Sequence, residues 1–182
     1  MERKSVRIIL LPVGTIEEFI LDTLSKATSR IFNCQVSIYE KIKVPDEAYN
    51  PARNQYSSSK ILEKMRSFIK LENGEKALGV ADVDLYVPGL NFVFGEAELG
   101  GRLAIISLTR LRQSFYGLPD DRSLFLQRAV KEAVHELGHL YGRGHCPDFR
   151  CIMHFSNSLL DTDRKSVSFC PRCRLPEWTS PV

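Results

Sequence analysis

The segment from residue 135 to residue 145 reads HELGHLYGRGH, and no other stretch of the chain constrains the fold as strongly. His135 and His139 are four positions apart, so on a helix they lie one above the other on the same face. Two imidazoles in that arrangement can reach one zinc ion, whereas Glu136 lies roughly a quarter turn away, outside the direct ligand pair. The spacing therefore predicts a zinc site with Glu136 beside the metal.

A catalytic zinc site needs a third protein ligand and an open position. His145 follows six residues after His139, and Gly142 and Gly144 can form the sharp turn that returns the chain to the metal. On this interpretation Glu136 is the general base, which accepts a proton from water as the water attacks a substrate carbonyl. The alternative, two histidines on a solvated helix face, would leave Glu136 and His145 without a role.

The residues around the histidines predict a long helix, from about residue 123 to residue 141. Its apolar side chains fall on one side and the two histidines on the opposite side, facing away from the expected core; these apolar residues are Leu126, Val130, Ala133, Leu137 and Leu140. Glu132 and Arg128 lie about one and two turns before His135. We expect them to form an exposed ion pair along the helix, with a contact to the metal ligands as the alternative.

Four of the five cysteines lie after His145, in two pairs, Cys146-x4-Cys151 and Cys170-x2-Cys173. Four thiolates at this spacing suit a closed, tetrahedral zinc site, which leaves no room for water and is therefore structural. Two disulfides are the alternative, and a reducing compartment disfavours them. The sequence thus predicts two zinc ions per chain, one catalytic and one structural.

The arrangement between residues 133 and 173 resembles the archaemetzincin family of the metzincin clan of zinc metallopeptidases. It combines the pattern HExxHxxGxxH with a cysteine tetrad interleaved with Met153. The resemblance implies hydrolysis of peptide bonds, and it implies that Met153 forms the Met-turn, a packing residue under the metal. Some metzincins carry a tyrosine ligand two residues after this methionine, and Phe155 in this chain removes that ligand. In metzincins an edge strand usually holds the substrate in extended form, and residues 91–98 are the candidate here.

Upstream of the helix, hydrophobic patterns predict an α/β (α+β) fold. The predicted elements are strands at 7–13, 35–44, 77–87, 91–94 and 103–108, helices at 16–32 and 57–69, and a loop at 46–55. With the resemblance, the expected architecture is a metzincin-like twisted mixed sheet with an antiparallel edge strand, two or three helices including the active-site helix, and a small irregular C-terminal subdomain stapled by zinc. We place the boundary after Gly144. Residues 1–144 form the N-terminal subdomain, and residues 145–182 form the C-terminal subdomain with the third histidine, the Met-turn and the four-cysteine site.

The bulk composition is that of a soluble globular protein. The 182 residues are 43% hydrophobic and 26% charged, and the formal net charge of +3 is too small to indicate binding to nucleic acid or to a membrane. Glu2-Arg3-Lys4 followed by an apolar run mimics a signal peptide, but no small-residue cleavage site follows. The expectation is a cytoplasmic protein whose partner is a peptide or protein substrate.

Other functions stay open at this stage. A zinc-stapled binding protein would bind its partner with the basic residues of the tail, such as Arg172 and Arg174. It would leave the three histidines and Glu136 without a function. A dormant metallopeptidase-like protein would keep the zinc site and have little activity. A hydrolase of non-peptide amides would use the same chemistry, and endopeptidase action cannot be told from aminopeptidase action.

Overall fold

A computed structural model describes residues 7–177, and in this range the chain forms eight strands and four α-helices. The strands are β1 (Arg7–Val13), β2 (Gln35–Ile38), β3 (Tyr49–Asn50), β4 (Gln55–Ser57), β5 (Glu75–Ala81), β6 (Leu85–Tyr86), β7 (Gly95–Ala97) and β8 (Leu103–Ser107). The helices are α1 (Glu18–Phe32), α2 (Ser58–Phe68), α3 (Arg122–Leu140) and α4 (Leu159–Arg164).

Five strands form the main sheet, in the order β2-β1-β5-β8-β7. The first four are parallel, and β7 pairs with β8 in the antiparallel sense at one edge. A separate small sheet has the order β3-β4-β6. The predicted mixed α/β sheet with an antiparallel edge strand is therefore confirmed.

Helices cover both faces of the main sheet, which explains why β1 is a continuous apolar run rather than an alternating one. Ile8 and Leu10 of β1 pack into the core that also holds side chains of α1 and α3. Ile9 and Leu11 point the other way, into the core that holds side chains of α2. Burial on both faces fixes β1 in the middle of the fold.

Helix α3 begins where the sequence predicts, because the Asp121 side chain accepts a hydrogen bond from Leu124 N at 2.9 Å and so caps its first turn. The expectation that its histidine face points away from the core is wrong. Residues 146–153 and α4 pack over that face, and His135 is only 4% exposed. The helix is therefore buried on two sides, which the apolar pattern of one side could not indicate.

Other differences lie in short elements. Residues 91–94 do not form a strand, and the strand beyond them, β7, is three residues long. The strand predicted over 35–44 ends at Ile38, and β3 with the start of β4 falls in the predicted loop at 46–55. Helix α4 has no counterpart among the predicted elements. The limits of β2 and β7 depend on pairing with β1 and β8, which local patterns do not report.

Within residues 7–177, no helix combines the length and the apolar character that crossing a bilayer requires. Glu2, Arg3 and Lys4, which the signal-peptide comparison used, lie outside the described residues, as do the outer ends of the two predicted subdomains.

Gly138 offers a test of how tightly α3 is packed. A Cβ atom on this residue would lie 2.5 Å from Met153 Sδ and 3.0 Å from Phe169 Cε1. Alanine in a helix interior gains roughly 0.5–1 kcal/mol over glycine, whereas overpacking a filled core costs about 1–3 kcal/mol. We therefore expect Gly138→Ala to lower the free energy of unfolding by about 1 kcal/mol, measured by denaturant titration.

Gly144→Ala is the matched control, because a Cβ atom there meets no heavy atom within 4 Å. Equal stability of the two variants would show that α3 and the segment around Met153 are not in the close contact described.

Candidate metal centres and the cleft between them and the edge strand

The three histidines of the HExxHxxGxxH segment converge at the end of α3. Their ligand atoms all lie within 4.8 Å of one another. His135 Nε2 and His139 Nε2 are 3.1 Å apart, close to the roughly 3.3 Å that two nitrogens on a tetrahedral zinc ion would have at Zn–N distances of about 2.0–2.1 Å. Gly142, with a φ of 77°, makes the left-handed turn that brings His145 back toward the other two.

Backbone carbonyls orient two of these rings. Ile152 O lies 2.8 Å from His135 Nδ1, and Arg143 O lies 2.7 Å from His139 Nδ1. A carbonyl oxygen can only accept, so each Nδ1 carries the proton and each Nε2 keeps its lone pair. Burial lowers the pKa of His135, His139 and His145, which favours the neutral imidazole that binds metal.

Glu136 lies beside the histidines and against the edge strand. A Cβ atom on Gly95 of β7 would meet Glu136 Cγ at 2.6 Å and Oε1 at 2.7 Å, so only glycine leaves space for this side chain. Burial is the main cause that raises the pKa of Glu136 well above its ordinary value. A buried carboxyl with a raised pKa is typical of a general base that works near neutral pH.

The prediction of an exposed ion pair between Arg128 and Glu132 is wrong. Both side chains are buried, and each has a partner from α4 or from the residue after it. Arg128 donates to both carboxylate oxygens of Asp163, at 2.7 and 2.6 Å. Glu132 lies 3.9 Å from Lys165 Nζ and contacts Glu136. The charges on α3 therefore pair across to α4 rather than along the helix.

The four cysteines that follow His145 also converge, and their Sγ atoms lie within 4.8 Å of one another. All four are free thiols, not disulfides. Cys146 Sγ and Cys170 Sγ are 3.8 Å apart, the separation expected for two sulfurs on a tetrahedral zinc ion at Zn–S distances of about 2.3 Å.

Neighbouring thiols in the cluster affect one another's pKa. Burial raises the pKa of Cys151 and of Cys173, and the neighbouring thiols add to that rise for Cys173. Against its own burial, hydrogen bonds from Cys173 and other neighbours lower the pKa of Cys170 to about 7. The Cys170 thiol therefore loses its proton more readily than those of Cys151 and Cys173, and a metal ion bound to the cluster would displace the thiol protons.

Short contacts join the two clusters. His145 and Cys146 are adjacent in the chain, and Cys146 N donates to Met153 O at 2.9 Å. His154, the one histidine outside the triad, donates from Nδ1 to Cys146 O at 2.8 Å. Met153 itself is fully buried against Gly138 of α3. One peptide group, between His145 and Cys146, thus links the histidine cluster to the cysteine cluster.

A cleft of about 840 Å³ runs between the histidines and the edge strand. One wall comes from the chain around β7, and the opposite wall comes from the segment after His145; the aromatic and aliphatic side chains in them include Val87, Leu90, Phe92, Phe94, Leu99 and Phe155. Phe155 lies against His145, with ring centroids 4.9 Å apart. An apolar cleft with a few polar groups at its floor is the usual form of a substrate site.

Several residues of the site carry no signal in the sequence. Gly95 and Lys165 are distant from the histidine segment and match no motif, and the carbonyls of Ile152 and Arg143 are backbone groups whose role depends only on geometry. The alternation of β7 could have suggested that Gly95 and Ala97 face the same way, but not that Glu136 packs on Gly95.

Comparisons with known proteins give one consistent result. The profile of Peptidase family M54 matches residues 10–176. The archaemetzincin of Methanocaldococcus jannaschii is 45% identical over 168 residues, which cover 92% of this chain and 90% of the relative. The archaemetzincin of Pyrococcus furiosus is 42% identical over 171 residues, covering 91% of this chain and 89% of the relative.

Solved structures agree. The crystal structure of the archaemetzincin of Archaeoglobus fulgidus, in complex with malonate, superposes with a TM-score of 0.79 at 41% identity, covering 92% of this chain and 97% of that one. A zinc-dependent peptidase from Methanocorpusculum labreanum superposes with a TM-score of 0.83 at 34% identity, covering 91% of this chain and 97% of that one. With this likeness over nearly the whole length, the chain belongs to Peptidase family M54 and is a zinc metallopeptidase of the archaemetzincin type.

Proposed function

We propose that the chain hydrolyses peptide bonds at a zinc ion held by His135, His139 and His145, with Glu136 as the general base. The observation that carries this proposal is the position of Glu136, whose buried carboxyl lies beside the three imidazoles and against Gly95 at the cleft. When bound, zinc supplies a Lewis acid that polarises the scissile carbonyl and acidifies the attacking water.

The protein groups then have separate tasks. Glu136 Oε1 takes the proton of the attacking water and passes it to the leaving amine. The raised pKa that burial gives Glu136 suits this exchange, because the carboxyl must both accept and release a proton near neutral pH. Ile152 O and Arg143 O hold the His135 and His139 rings, so that both Nε2 atoms stay directed at one point.

Strand β7 is the proposed substrate-binding edge. Ser107 N donates to Phe94 O at 2.7 Å, and Glu98 N donates to Leu103 O at 3.1 Å. In an antiparallel ladder the intervening odd residues point their N–H and C=O groups the other way. Gly95 and Ala97 therefore offer backbone groups on the outer side of the sheet, where an extended peptide can add as a further strand.

The four cysteines are the proposed structural zinc site, which would give two zinc ions per chain. The described tail after His145 contains one helix of six residues and little other regular structure. A metal ion bound by all four thiolates would stabilise this tail, since the binding free energy of a closed site contributes to folding. On this proposal residues 145–182 form a C-terminal subdomain that holds His145 in place.

The role of Glu136 is tested by Glu136→Gln. The amide keeps the size of the side chain but cannot accept the proton, so kcat on a peptide library should fall by about 10²–10⁴-fold while zinc content stays unchanged. Glu63→Gln, an exposed glutamate on α2, is the control and should leave kcat unchanged. Turnover of Glu136→Gln at the rate of the parent protein would remove Glu136 from the mechanism.

The histidine centre is tested by elemental analysis of purified protein. His135→Ala combined with His139→Ala should lower the zinc content from near two ions per chain to near one, because a metal held by one remaining imidazole dissociates. Glu63→Gln is again the control, since Glu63 is exposed and belongs to neither cluster. A content near one ion in both the parent and the double variant would mean that the histidine centre does not hold zinc as isolated.

The thiolate site makes an independent prediction. Cys170→Ser combined with Cys173→Ser should remove the second zinc ion and lower the unfolding temperature, whereas Cys34→Ser, which changes a thiol outside the cluster, should leave both zinc ions in place. Retention of both zinc ions by the double serine variant would contradict a four-cysteine site.

A further inference from the structure

A lysine with almost no contact to water lies beside the histidine centre. Lys165, the residue that follows α4, is 1% exposed and is among the largest fully buried side chains of the described chain. Burying an ammonium group costs several kcal/mol unless an anion compensates it, and an apolar residue of the same volume would avoid that cost. The charge of Lys165 therefore calls for a reason other than the filling of space.

Three groups surround the ammonium group. Lys165 Nζ donates to His154 O at 3.3 Å and lies 3.9 Å from Glu132 Oε2. It also lies 3.5 Å from His135 Nδ1. That last contact is not a hydrogen bond, because His135 Nδ1 already donates its proton to Ile152 O. Glu132 is thus the anion that pairs with Lys165.

Glu132 and Glu136 are four residues apart on α3, and both are buried and in contact. When both carboxyls are ionised, as the general-base role of Glu136 requires, their charges repel each other strongly because water cannot screen them. Oε2 of Glu132 has no hydrogen-bond donor among the described residues, so the charge of Lys165 is what stabilises it. Lys165, Glu132 and Glu136 therefore form a row that ends at the cleft.

Helix α4 holds Lys165 in this position. Lys131 Nζ donates to Thr162 O and to Asp163 O, both at 3.0 Å, and Arg128 forms a two-point contact with the Asp163 carboxylate. These contacts tie α4 to α3 without involving Glu132. They make it possible to separate the charge of Lys165 from the mere attachment of α4.

We propose that Lys165 is a positioning residue for peptide hydrolysis: its charge balances Glu132, which lets the Glu132 carboxylate lie next to Glu136 at the cleft, where Glu136 packs against Gly95. The proposal rests on the proposed role of Glu136 as the general base. It assigns to the row a second effect as well. The Lys165–Glu132 pair is neutral, so the ammonium group does not repel a metal ion from His135.

The test is a double-mutant cycle on the full-length, zinc-loaded protein with Lys165→Met, Glu132→Gln and the combination of the two. Lys165→Met leaves two carboxylates without a countercharge, so kcat should fall by about 10–100-fold with little change in KM. Glu132→Gln leaves an unpaired ammonium group beside His135, so zinc affinity, measured by competition with a chelator, should weaken by about 10-fold or more. The combination leaves neither charge, and kcat and zinc affinity should each recover to within a few-fold of the parent values.

Lys131→Met is the control, because it removes contacts between α4 and α3 but leaves the row intact. A kcat for Lys131→Met as low as that of Lys165→Met would overturn the proposal, since attachment of α4 would then explain the loss. Failure of the combined variant to recover either quantity would overturn it too. The zinc-affinity cycle does not depend on turnover, so an error about Glu136, which Glu136→Gln reveals by itself, is distinguishable from an error about Lys165.

Discussion

The rest of the structure depends on one constraint: α3 is buried on two sides, yet it carries a row of polar and charged groups. A buried polar group without a partner costs about 1–3 kcal/mol, and a charged one costs more. Arg128, Glu132 and His135 each have a partner from the segment that follows the helix. Asp163 pairs with Arg128, and Ile152 O accepts from His135. The segment after the helix supplies these partners.

This constraint separates what could be predicted from what could not. His135, His139 and Glu136 are close in sequence on one helix, and helical geometry alone groups them. The cysteine pairs could be grouped because a short spacing between thiols suits one metal ion. β1 and the limits of α3 could also be predicted, since a strong apolar pattern and a capping residue are local signals.

The rest could not, because it arises from contacts between distant segments. Arg128 and Glu132 have the spacing of a helix-surface ion pair, and only the position of α4 turns them toward other partners. Nothing in the sequence around Lys165 indicates that its side chain is buried. The sequence predicts a strand at 91–94, whereas the structure has β7 just after it. Pairing with β8, and not local propensity, decides where this edge strand lies.

On the proposal that a substrate chain adds to β7, the short length of this strand limits which molecules the cleft can accept. Three residues of strand extend over roughly 10 Å, so a chain aligned along β7 can share main-chain hydrogen bonds with it over about three residues only. Main-chain bonds are the same for every sequence, and discrimination among peptides therefore falls to side chains that reach the apolar walls. A folded protein must first free that much chain from its own hydrogen bonds, which favours loops, termini and partly unfolded chains over intact domains.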